Sequence, residues 1–147
     1  MNETKTRVCY LPEEKFDFLG YPFGRCNSMR RGRVYLGTAP SKKRVQGICR
    51  AISDETGRDT VRLDPETLVE TLNRMLIGWA NYFCLGAVSK AYGVVDIHAR
   101  RRLRRWLCDK HNVPRPGYKR FPEVALLSLY GLAQSPHRTA SLPWANA

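Results

Sequence analysis

Residues 62–86 read RLDPETLVETLNRMLIGWANYFCLG, and their spacing decides the fold. Asp64 stands where a helix N-cap belongs, Pro65 at the first helical position, and Glu66 near the positive end of the helix dipole. Leu68, Leu72, Met75, Leu76, Trp79 and Phe83 recur at helical intervals as one apolar stripe, and Gly86 can close the helix. The spacing predicts a long core helix. On its other side Arg74, Gly78 and Asn81 are successive neighbours, so the glycine opens a notch between a cation and an amide. Glycine and asparagine both cost stability in mid-helix relative to alanine, and such a glycine usually has a packing reason. Gly78 is therefore expected to let another helix approach closely, with Asn81 bonding to that helix's backbone.

Two further helices flank this one. APSKKRVQGICRAIS, residues 39–53, begins with a candidate N-cap, Ser41, and puts Val45, Ile48 and Ile52 on one face. Lys42, Lys43 and Arg44 fall in its first turn, where the helix dipole disfavours cations by roughly 0.3–1 kcal/mol. Two readings stay open there: an anion site using the free N–H groups and three cations, or side chains that splay into water. VVDIHARRRLRRWLCDKHN, residues 94–112, places Ala99, Leu103, Trp106 and Leu107 on one face and Arg100, Arg101, Arg104 and Arg105 on the other. Asp109 is the one acid three or four residues beyond any of these arginines, so they are expected to lack intrahelical partners, to repel one another and to present four guanidinium groups to phosphates.

Before the helices, KFDFLGYPF (15–23) and RVYLG (33–37) read as two strands. GRCNSMRRGR between them reads as a basic hairpin loop. Two strands do not make a stable sheet alone, which hints at pairing with something larger. After the helices, residues 112–147 contain one short apolar helix, about Pro122 to Tyr130, and otherwise read as extended, with Trp144 expected to dock onto the body. The expected architecture is mostly α: a three-helix bundle preceded by a short β-hairpin and followed by a short helix and extended tail. Its expected divisions are 1–38, 39–112 and 113–147.

The 147 residues carry 25 Lys and Arg against 13 Asp and Glu, a net charge of +12. The charge is segregated. Residues 25–50 and 98–120 are strongly basic, whereas 53–73 are mainly acidic, a pattern that points to a polyanion partner rather than mere dispersal in water. No run has the apolar length of a membrane helix. MNETKTRVCY shows no signal-peptide core, so a cytoplasmic, reducing location is expected. The five cysteines, at 9, 26, 49, 84 and 108, show no C-x-x-C pair and read as thiols in or near a core. Cys108 and His111 lie one helical turn apart, but two ligands fall short of the usual four, so no metal and no cofactor are expected.

The phrases FDFLGYPF, LNRMLIGWANYF, HARRRLRRWLCDKH and PWANA resemble the carboxy-terminal part of bacterial group II intron reverse transcriptase/maturases. LNRMLIGWANYF followed by the arginine helix resembles their maturase-specific region, also called the thumb or domain X. Leu72, Gly78, Trp79, Asn81, Tyr82 and Trp106 carry that motif. The stretch before Leu11 is similar to the last edge of the palm, and the three amphipathic helices suit a three-helix thumb. The resemblance implies binding to structured intron RNA and help with its splicing, plus a grip on primer and template in an intact enzyme. The residues it implies as RNA-facing are Lys42, Lys43, Arg44, Arg74, Arg100, Arg101, Arg104, Arg105 and Lys110. A-form RNA is held largely through phosphates and 2′-hydroxyls, which suits such a cationic set.

The chain also departs from that family's polymerases. No Y-A-D-D stretch occurs, and Asp54, Asp59 and Asp64 lie across a turn and a cap rather than clustered for two metal ions. No polymerase activity is expected of the chain by itself, and it reads as a fragment: a truncated element, a split gene product or an isolated domain. Three functions follow as alternatives: an RNA-binding maturase module; a thumb subunit completing a reverse transcriptase in trans with a finger and palm chain; and an inactive remnant of a mobile element. A generic DNA-binding protein fits the charge but not the motifs, since the arginine run lacks the Asn or Gln suited to reading adenine.

Overall fold

Three antiparallel strands precede the helices. In the computed structural model, which describes residues 14–27, 32 and 34–135, β1 (Phe16–Phe18), β2 (Tyr21–Asn27) and β3 (Val34–Thr38) form one sheet in that order. KFDFLGYPF, expected to be a single strand, is itself a hairpin, with Phe18 paired to Tyr21 across Leu19 and Gly20. Both loop residues have positive φ, 53° and 90°. A two-residue loop of that kind carries the twist that joins antiparallel strands tightly. Leucine rarely takes such a conformation, which is why the alternating aromatics on either side masked the reversal. Phe16 and Phe23, directly opposed, stack with ring centroids 5.2 Å apart.

The three expected helices follow: α1 (Lys42–Glu55), α2 (Pro65–Tyr82) and α3 (Ser89–Lys110), with a 3-10 turn at Asp59–Arg62 between the first two. Ser41 caps α1, its hydroxyl accepting from the Arg44 N–H at 3.3 Å. Asp64 and Pro65 begin α2 as expected, although the Asp64 side chain makes no capping bond. α3 starts five residues before the stretch that the arginine pattern marked out.

The apolar stripes converge. Ile52 of α1, Leu68, Leu72 and Leu76 of α2, and Val95, Ala99, Leu103, Trp106 and Leu107 of α3 form one buried cluster. Each such aliphatic side chain contributes about 1.5–3 kcal/mol by leaving water, so this seam holds the three helices together. Leu126 and Leu132 join it from the segment after α3, which contains a π-helical turn at Ala125–Leu129.

The sheet is anchored to the end of α2. Tyr21 is buried there, donating its hydroxyl to the Tyr82 carbonyl at 2.7 Å and accepting from the Leu85 N–H at 3.3 Å. Two groups left over where α2 ends are thereby satisfied. Tyr82 reciprocates, its hydroxyl donating to the Leu19 carbonyl at 3.3 Å. Gly86 lies beyond the helix end, with φ of 77°, and a Cβ there would fall 2.0 Å from the Thr38 carbonyl oxygen. That position admits only glycine, and it lets the Ala87 N–H donate to the same oxygen at 3.0 Å.

Residues 131–135 of the segment after α3 are held by the side chains of Asn73 and Asp96. Asn73 of α2 donates to the Gly131 carbonyl at 2.9 Å and accepts from the Ala133 N–H at 2.7 Å. Asp96 of α3, buried, accepts from the Ser135 hydroxyl at 2.7 Å and from its N–H at 3.2 Å. Trp144 and PWANA, the arginines 30, 31 and 33 of the basic loop, Cys9 and the stretch before Leu11 lie outside the described residues. Among the described residues no helix is long and apolar enough to cross a membrane.

Candidate nucleic-acid interface

The arginine run of α3 divides into side chains that hold the fold and side chains that face solvent. Arg101 and Arg105, one turn apart, are exposed, as the helical spacing predicts. Arg104 is not: it is buried to 6% exposure, its Nε donating to the Phe121 carbonyl at 2.8 Å and its guanidinium lying 4.4 Å from the centre of the Tyr118 ring. Arg100 is half-buried and pairs with Glu123 at 3.0 Å, so it does not lack an acidic partner. The expectation of four free guanidinium groups is thereby corrected to two. The segment after α3 folds back over the helix and covers a stripe that periodicity along α3 alone leaves open. Arg102, outside the expected set, turns the other way and donates to Thr56 and Ser53 at the end of α1.

Lys110 is also occupied. Its ammonium donates to the Val61 and Leu63 carbonyls at 3.1 and 2.8 Å and sits 5.3 Å from the centre of the Trp106 ring, closing the connection between α1 and α2. Trp106 is itself buried and donates its indole N–H to the Thr60 hydroxyl at 3.2 Å.

At the start of α1 the three cations are all exposed, and no acid stands in the first turn. Arg44 runs back along the hairpin, close enough that a Cβ on Gly20 would meet its Nε at 2.6 Å. The Ser41 N–H donates to the Gly20 carbonyl at 3.1 Å, so the hairpin turn and the helix start are tied together. Among the described residues no ion pair engages Lys42, Lys43, Arg101 or Arg105.

The α2 notch proves to be a surface feature. Arg74, Gly78 and Asn81 are all exposed, and a Cβ on Gly78 would meet nothing within 4 Å among the described residues. No hydrogen bond joins the Asn81 side chain to another described residue, so the expected close helix contact is overturned. The reason is directional: α1 and α3 cover the Leu68, Leu72 and Leu76 side of α2, and Gly78 lies away from it. Of the other motif residues, Leu72 is fully buried, Trp79 lines the edge of the core beside Phe83 and Tyr92, and Tyr82 bridges to the hairpin.

Burial tunes two groups on α3. The Asp96 carboxyl is pushed above the ordinary carboxylate range by burial, opposed by the Ser135 hydrogen bonds and by Arg100. His98 shares a hydrogen bond of 2.9 Å with the Ser53 hydroxyl; burial holds its pKa below the usual histidine value, the Cys49 carbonyl opposes that, and Arg102 and Arg101 reinforce it. Among the described residues no group of three or more His, Cys, Asp or Glu side chains converges as a metal site. Cys108 is buried against Gly117, while His111 is exposed beside Phe121.

The structure adds residues that the sequence reading left out. Tyr118 lies over Arg104 at the edge of a cleft bounded also by Arg100 and Arg101. The available signal was an aromatic set among Pro114, Pro116 and Gly117 and followed by Lys119 and Arg120, a pattern of stiff loop, ring and charge.

Residues 45–121 match a family model described as group II intron, maturase-specific domain. That interval is more than half of the 147 residues and runs from the first turn of α1 through α2 and α3 to Phe121, taking in Arg74, Gly78, Arg101, Arg105 and Tyr118. No curated protein and no solved structure matches the chain.

Proposed function

The chain belongs to the group II intron maturase-specific domain family, and from that premise we propose that it binds structured group II intron RNA and assists its splicing. The observation that carries this reading is the division among the arginines of α3. Arg100, Arg102 and Arg104 are engaged by the protein, whereas Arg101 and Arg105 stand in solvent without an ion pair among the described residues. Lys42, Lys43 and Arg44 at the start of α1 extend the cationic set. Such groups grip phosphates, and the shape of the folded RNA supplies selectivity. Arg74, beside the open Gly78 notch, is a further contact in this proposal.

The matched family is a maturase-specific domain rather than a polymerase catalytic domain, so the proposed role is binding without nucleotidyl transfer. A second reading has one observation in its favour. The sheet leaves Phe18, Val34 and Leu36 substantially exposed, and a finger and palm chain covering them would complete a reverse transcriptase in trans, with its grip on primer and template.

The test is competition at physiological salt among a group II intron RNA, an unrelated folded RNA of equal length, and duplex DNA. Preference for the intron RNA supports the proposal. Equal binding of all three with one steep salt dependence would reduce the chain to a polycation and sink it.

A further inference from the structure

A cleft of about 570 Å³ opens where the segment after α3 crosses back over that helix. Arg100, Arg101 and Arg104 line it, together with Ile97, Pro122 and the Tyr118 ring. Its one acid, Glu123, already holds Arg100 at 3.0 Å, so the lining keeps a positive excess.

Tyr118 is the unusual member. It is 55% exposed, yet one face of its ring carries the Arg104 guanidinium at 4.4 Å. Arg104 is itself buried and tethered to the Phe121 carbonyl, so the ring and guanidinium are stacked before any ligand arrives. No aromatic partner among the described residues covers the other face. An occupant that satisfies this lining is flat and polarisable on one side and anionic on the other. Phosphates of an unbroken duplex can reach the arginines but bring nothing to the ring, because their bases are stacked on one another. An unpaired nucleotide brings both.

We propose that this cleft receives one unpaired nucleotide of the bound RNA, its base against the Tyr118 ring and its phosphate on Arg101. The proposal rests on the RNA-binding reading above and adds a site for a bulge or loop nucleotide. Arg104 acts as a positioning residue that stiffens the ring, while Arg101 makes the contact.

The test uses the full chain and two hairpin RNAs of equal length, one fully paired and one with a single bulged 2-aminopurine. Wild-type protein should bind the bulged hairpin about tenfold more tightly and quench the 2-aminopurine on binding. Tyr118→Ala should abolish the preference and the quenching while leaving affinity for the paired hairpin unchanged, and Tyr118→Phe should keep both. The wild-type comparison stands even if a variant folds poorly. Binding of both hairpins with equal affinity and no quenching, or a preference that survives Tyr118→Ala, overturns the cleft site and leaves RNA binding intact. Failure to bind either hairpin overturns the cleft site alone, and the competition with intron RNA then decides the RNA-binding reading.

Discussion

Arg102 reaches from α3 to Thr56 at the end of α1, donating from Nε to the threonine hydroxyl at 2.8 Å and from a terminal nitrogen to the threonine carbonyl at 2.8 Å. The same nitrogen donates to the Ser53 carbonyl at 2.7 Å. A cation thus sits on the negative end of the α1 dipole and takes up carbonyls that the helix end leaves without partners. It shows how a residue inside a run of arginines can serve the fold while its neighbours face solvent.

Arg102→Gln should therefore lower stability by about 1.5 kcal/mol, the loss expected for charge-assisted bonds to partly buried groups, and leave the salt dependence of RNA binding unchanged. Urea unfolding and a binding series on the same variant check the two halves. A variant that melts like wild type but binds RNA more weakly would place Arg102 on the RNA side instead.

Gly78→Ala should stabilise the chain by roughly 0.5–1 kcal/mol, because the site is exposed mid-helix, with no described residue near enough to clash. Thermal melting decides. A lower melting temperature would restore the close-packing role for Gly78 that the helical spacing first suggested.

His98 gives a pH dependence whose sign follows from burial. Its pKa in the folded chain lies below the ordinary 6.5, so the unfolded chain binds the proton more readily. The stability is present above pH 6.5 and is lost as pH falls from there toward the depressed folded value. His98→Gln should flatten the melting temperature over that interval. A slope identical in wild type and variant would assign the dependence to another group.

Asn73→Ala removes both bonds that hold the backbone at Gly131 and Ala133. The expected outcome is faster amide exchange over 131–135 and a loss of about 1 kcal/mol, since water can reach the Gly131 carbonyl once its partner is gone. Unchanged exchange in that segment would mean that Leu132 and the Asp96–Ser135 bonds suffice to hold it.

How much of this was legible in the sequence depends on how local the cause was. α2 announces itself through Asp64, Pro65 and a stripe of leucines, because capping and amphipathicity act within a few turns. The fate of Arg104 did not, since it depends on a carbonyl 17 residues further on. Gly78 was legible as an oddity but not as an exposed one, because the spacing identifies a helix face without saying what covers it. The Leu19–Gly20 reversal was hidden by a leucine in a conformation that favours glycine or asparagine. Tyr118 acquires its meaning from Arg104 beneath it, a pairing that emerges only when the chain folds back on α3.

The most direct measurement is the salt dependence of intron RNA affinity for wild type and for the Arg101→Gln/Arg105→Gln double variant, with melting curves for both. If those two side chains grip phosphates, the slope of log affinity against log salt should become shallower by roughly 1.5, with melting unchanged. An unchanged slope would contradict the central claim and remove the exposed face of α3 from the RNA interface.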